Sequence, residues 1–160
     1  MPDVSQQQQQ FKPFIVSDRP WLYEDTCTVG SDVIDGFGHV NNEAWLAMVN
    51  GLANRHSLAM GFDFSTMLDG IGAWFIRKTT IEYIASAFEG DILRGRTWVR
   101  TLGATRSHRE YQFFNHVTGS LCVQATTEWI FVNTKGKPIR IPKFIREAYC
   151  IAPEETTTNA

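Results

Sequence analysis

One stretch of helical periodicity, followed by nothing but strand-like runs, most constrains how this chain can fold. Trp45, Met48 and Val49, Leu52 and Ala53, and His56, Ala59 and Met60 recur at the spacing of one helix face. Asn41 or Asn42 suits the N-cap, Glu43 suits the first turn, and Gly61 is a natural stop. These signals predict a single helix of about five turns. Gly51, inside it, suggests close packing. A short second helical piece is expected over 64–68.

Trp21 to Val29 precedes this helix and reads as a strand, rich in aromatic and β-branched residues. Ile71 to Ile84, Asp91 to Leu102, Ser107 to Val117 and Leu121 to Val132 follow it as four further strands. Their joints carry turn residues: Glu89-Gly90-Asp91, Gly103-Ala104 and Thr118-Gly119-Ser120. Connections this short favour antiparallel neighbours. The sheet must cover an apolar face, and the one long helix is the obvious cover. The expectation is an α+β domain, a five-stranded antiparallel sheet wrapped around one central helix.

The 160 residues suit one domain. Residues 1–12 include five consecutive glutamines and are expected to be disordered; 13–152 form the domain, and 153–160 a frayed tail. With a net charge of −2 and pI near 6.1, the chain does not suggest nucleic-acid binding. Cys27, Cys122 and Cys150 have no paired framework and read as free thiols. No apolar run is long enough for a membrane span, and the N-terminus lacks the pattern of a secretory signal. A cytoplasmic location is expected. The histidines and cysteines lack zinc-ligand spacing, so no metal is expected.

Between the first strand and the helix lies a glycine-rich loop, Asp35-Gly36-Phe37-Gly38-His39-Val40-Asn41-Asn42. Read alone, an aspartate there is turn chemistry as readily as catalysis. The segment is similar to the Asp-x-x-Gly-His-Val-Asn-Asn of the hotdog-fold acyl-CoA thioesterases of the 4-hydroxybenzoyl-CoA thioesterase-like group. Further similarities follow in order: Trp45-Leu46, Ile81-Glu82-Tyr83, Gly90-Asp91 and Ile141-Pro142. They extend the resemblance from about residue 22 to 146. It implies a hotdog fold, a homodimer or homotetramer with active sites between subunits, and an acyl-CoA or acyl-carrier substrate without further cofactor. The family often places an acid within the central helix; Ala47-Met48-Val49-Asn50-Gly51 holds none.

The resemblance puts Asp35 in the role of catalytic carboxylate, either as nucleophile on the thioester carbonyl or as general base toward water. It makes the Asn42 backbone N–H the main oxyanion donor. Helix-start amides have no intrahelical partner, so Val40 and Asn41 are expected to face the substrate too. His39 would orient the carbonyl or protonate the leaving thiolate, while Gly36 and Gly38 would allow close approach. Arg106 and Ser107, and Lys135, Lys137 and Arg140, are candidates for the phosphates of coenzyme A, or else solvated turn residues. Arg94, Arg96 and Arg100 read as a solvated or subunit-facing strand side. His56 reads as a packed core histidine, Asp32 as a turn residue, and Glu128 as either a buried partner or a solvated charge. Trp74, Phe75, Phe113, Phe114 and Trp129 could line an acyl pocket or pack the core. A hotdog-fold enoyl-thioester hydratase or dehydratase, and a non-catalytic acyl-CoA binder, are the rival functions.

Overall fold

The computed structural model describes the backbone of residues 12–14 and all of residues 18–63 and 70–154. Its elements are β1 (Lys12–Phe14), β2 (Leu22–Thr28), a 3-10 turn (Ser31–Val33), the helix α1 (Asn42–Ala59), β3 (Ala73–Tyr83), β4 (Ile92–Leu102), β5 (Arg106–Asn115), β6 (Leu121–Val132) and a short helix α2 (Lys143–Ala148). The sheet is antiparallel throughout, in the order β1-β2-β4-β5-β6-β3. β4, β5 and β6 form a meander, whereas β3 crosses to the far side of β6.

Each expected strand is present, within a few residues of its expected ends. β5 stops at Asn115 because that side chain accepts from the Val117 and Thr118 amides and Gly119 turns at φ 76. β1 is a sixth strand absent from the sequence reading, which put Lys12 in a disordered segment. The expected helical piece at 64–68 lies outside the described residues.

α1 begins where Asn41 caps it: the Asn41 side chain accepts from the Ala44 amide at 2.7 Å. It ends where Gly61 takes φ +89. Its inner face, Trp45, Val49, Leu52 and Ala53, packs on Leu93, Tyr111, Phe113, Val123 and Ala125 of the sheet. The closest approach is at Gly95, where a Cβ would lie 2.9 Å from Phe113 and 3.1 Å from Leu52. Gly51, expected to mark close packing, would meet only the end of the Arg55 side chain. A second apolar cluster sits beyond α1 and joins Val99 and Phe131 to Ile141, Ile145 and Tyr149 of the C-terminal segment.

Candidate active site

The loop before α1 is held by its own polar groups. Asp35 N–H donates to the His39 carbonyl at 2.8 Å, and Gly38 N–H to the Asp35 carbonyl at 3.1 Å. Gly38 has φ 82, a conformation that side chains with a Cβ disfavour. The Asp35 carboxylate accepts the Phe37 amide at 2.9 Å and the His39 amide at 3.2 Å, both on Oδ1. Its Oδ2 has no hydrogen bond among the described residues and is not sealed away. A half-buried carboxylate is thus oriented through one oxygen and left free at the other.

The helix start is more selective than the sequence suggests. Val40 N–H donates to the Ala87 carbonyl, and Asn41 N–H to the Val33 carbonyl, each at 2.9 Å. These amides, expected to face a substrate, are instead consumed in fixing the loop between neighbouring segments. Ala44 N–H is taken by the Asn41 cap, whose side-chain amide also donates to the Val33 carbonyl. The Asn42 and Glu43 amides remain without a partner among the described residues. They are the donors that the dipole and open end of α1 offer to a developing oxyanion.

His39 does not touch the Asp35 carboxylate with its ring. Its Nδ1 lies 3.3 Å from Ser86 Oγ, and the ring stands edge-on to Phe88 at 5.1 Å. Gly36 and Gly38 both open on free space. Phe37, at the tip of the loop, is 87% exposed.

The other expected contacts lie elsewhere. Arg106 is exposed and pairs with Glu128 at 3.2 Å. Glu128 is a shared partner, also reached by Arg77 at 3.6 Å and His108 at 3.7 Å. Ser107 is buried and donates to the Thr101 carbonyl at 3.0 Å. Lys135, Lys137 and Arg140 are exposed. On the outer sheet face Arg96 and Arg100 pair with Glu24 and Glu110, and Arg94 covers the Phe114 ring. Phe113 is core, and Phe75 is 63% exposed on β3.

A cavity of about 260 Å³ lies along the second half of α1, with Trp74, Trp129, Val99 and Leu102 among its apolar walls. No residue of the Asp35 loop lines it. Arg109 does, and the sequence reading passed over that residue. The signal was available: Ser107, Arg109, Tyr111 and Phe113 alternate along β5, which puts a cation on the inward face. Arg109 is 6% exposed; its Nη1 donates to His56 Nδ1 at 2.7 Å and to Thr97 Oγ1 at 3.2 Å. His56 is buried as expected, stacked on Tyr23. Burial, and the neighbouring Arg109 charge, push its pKa down to about 2, so the ring is neutral and accepts this bond.

The family model for the thioesterase-like superfamily matches residues 29–149. No curated protein matches the sequence. Among solved structures, a 1,4-dihydroxy-2-naphthoyl-CoA thioesterase from Synechocystis superposes with a TM-score of 0.76 at 19% identity, over 81% of this chain and 96% of that one. A DHNA-CoA thioesterase from Staphylococcus aureus gives 0.73 at 21%, over 79% and 87%. A second S. aureus protein, solved in complex with CoA, gives 0.73 at 17%, over 84% and 91%. At these identities the likeness establishes the hotdog fold.

Proposed function

Because this chain belongs to the thioesterase-like superfamily, we propose that it hydrolyses an acyl thioester with Asp35 as the catalytic carboxylate. The observation that carries this assignment is the state of that side chain. Two backbone amides fix Oδ1, and among the described residues Oδ2 is unpaired at the entrance to a helix whose Asn42 and Glu43 amides are also unpaired.

Two routes fit. In one, Oδ2 attacks the thioester carbonyl, the C–S bond breaks to release the thiolate, and water cleaves the resulting anhydride. In the other, Oδ2 takes a proton from a water that attacks the same carbon, and the C–S bond then breaks to release the thiolate and the free acid. In both, negative charge develops on the carbonyl oxygen, where the Asn42 amide stabilises it and Glu43 N–H is the second candidate. His39 orients the substrate from the side anchored at Ser86. Coenzyme A is the favoured thiol carrier, since two of the solved relatives are named as CoA thioesterases and a third was solved with CoA. The exposed cations Lys135, Lys137 and Arg140 are candidates for its phosphates, with Arg106 sharing Glu128.

The active unit is a dimer that pairs at β3. This strand ends the sheet with one side unpaired, and it exposes Phe75 and Tyr83.

Thiol release measured over short, long and aromatic acyl-CoAs tests the proposal. Asp35→Ala should lose at least about a hundredfold in rate, the lower range of positioned acid–base catalysis, with circular dichroism unchanged. Near-wild-type turnover by a folded Asp35→Ala protein would reject the role.

A further inference from the structure

Arg109 poses a problem that thioester chemistry at Asp35 does not solve. It is a guanidinium 94% removed from solvent, and no carboxylate lies within ion-pair distance of it among the described residues. Its partners are neutral: the His56 ring, the Thr97 hydroxyl and, at 5.9 Å, the face of Tyr149. A buried cation without a counter-charge is costly. Other arginines on this sheet are paired, Arg96 with Glu24 and Arg100 with Glu110.

Part of this side chain is unused. Nη1 makes both hydrogen bonds; Nε and Nη2 make none among the described residues, yet neither is a sealed atom. Arg109 lines the 260 Å³ space, and Nε and Nη2 are the donors it has left for a ligand there. A second donor is available nearby. Ser57 Oγ and Tyr149 Oη lie 2.9 Å apart and both residues line the cavity; one hydroxyl proton closes that bond and the other is left over. Val99, Leu102, Trp74 and Trp129 also line it. Asp63 is the one acid among the described lining residues, and it is exposed.

We propose that this cavity is a second ligand site, which binds a small monocarboxylate with a compact apolar body, held through its carboxylate by Arg109. A planar carboxylate matches the fork in a bidentate pair and accepts the spare hydroxyl proton. A space of about 260 Å³ suits a body of one ring or a medium-length chain. A phosphate dianion would bring more charge against these apolar walls than one guanidinium offsets. Its lining on α1 runs from Ala53 to Leu58, roughly 16–24 Å along the helix from Asn42, so it is separate from the proposed catalytic carboxylate within one chain. The inference rests on Arg109 and the cavity, and it does not require the thioesterase reading.

Trp74 and Trp129 provide the readout. Titration of the full-length protein with 3-phenylpropionate and octanoate should change tryptophan fluorescence, saturating below about 1 mM. The corresponding amides, equal in shape and uncharged, should bind at least about tenfold more weakly. Arg109→Gln should abolish the preference for acid over amide. If that variant misfolds, Val99→Phe fills the cavity with Arg109 in place, and it should lose binding of both acids. Asp35→Ala should bind them as the wild type does. No saturable binding by the wild type, equal affinity for acid and amide, displacement by equimolar inorganic phosphate, or loss of binding in Asp35→Ala would each overturn the proposal.

Discussion

Asp25 on β2 and His56 on α1 are both buried, and each meets an arginine. Asp25, whose side chain is 2% exposed, pairs with Arg55 at 2.5 Å and accepts the Tyr23 hydroxyl at 3.2 Å. Asp25→Ala leaves the buried Tyr23 hydroxyl without its acceptor and takes a carboxylate from Arg55, so it should cost about 1–3 kcal/mol in urea unfolding. Burial, and the Arg109 charge beside it, hold His56 neutral. Its folded pKa of about 2 lies far below the ordinary 6.5, so below pH 6.5 the unfolded chain binds a proton that the native ring refuses. Its contribution is therefore complete above pH 6.5 and is lost as pH falls. Between pH 6.5 and 5.0 this one group should remove about 2 kcal/mol of stability. His56→Gln, which can still accept from Arg109, should show a correspondingly flatter pH dependence in the same unfolding experiment. A slope equal to wild type would mean that the ring already titrates in the native state.

At the level of elements, α1 depends on a cap at one end and a glycine opposite its middle. Asn41→Ala removes the acceptor for Ala44 N–H and the donor to Val33, and should lower stability by about 0.5–2 kcal/mol. Gly95→Ala puts a methyl against Phe113 and Leu52 and should cost about 1–3 kcal/mol in thermal melting. The sequence showed α1 clearly, because its apolar period, cap residue and stop all agree. It showed β2 to β6 nearly as well, because alternation and turn residues are local. It did not show β1, three residues with a proline in the middle that owe their conformation to pairing with Thr26, Asp25 and Glu24. It did not show α2, whose six residues are too few for a period and whose Ile145 is fixed by burial against distant partners. The loop was legible in its residue types and not in its bonding. The carbonyls that take the Val40 and Asn41 amides belong to Ala87 and Val33, and only the folded chain brings Ala87 there.

For the molecule as a whole, the end strand β3 is the place to test assembly. Phe75→Lys adds charge to the exposed edge and should shift the protein toward monomer in sedimentation, with reduced thioester turnover if sites form between subunits. The order of the sheet has a further consequence during biosynthesis. β3 emerges from the ribosome before β4, β5 and β6, yet its partner in this chain is β6, through a register that runs from Ala73–Val132 to Tyr83–Val123. For the time needed to translate the meander, an eleven-residue strand has both edges open. Nascent chains halted before Leu121 should therefore engage holdase chaperones, and those extended past Val132 should release them.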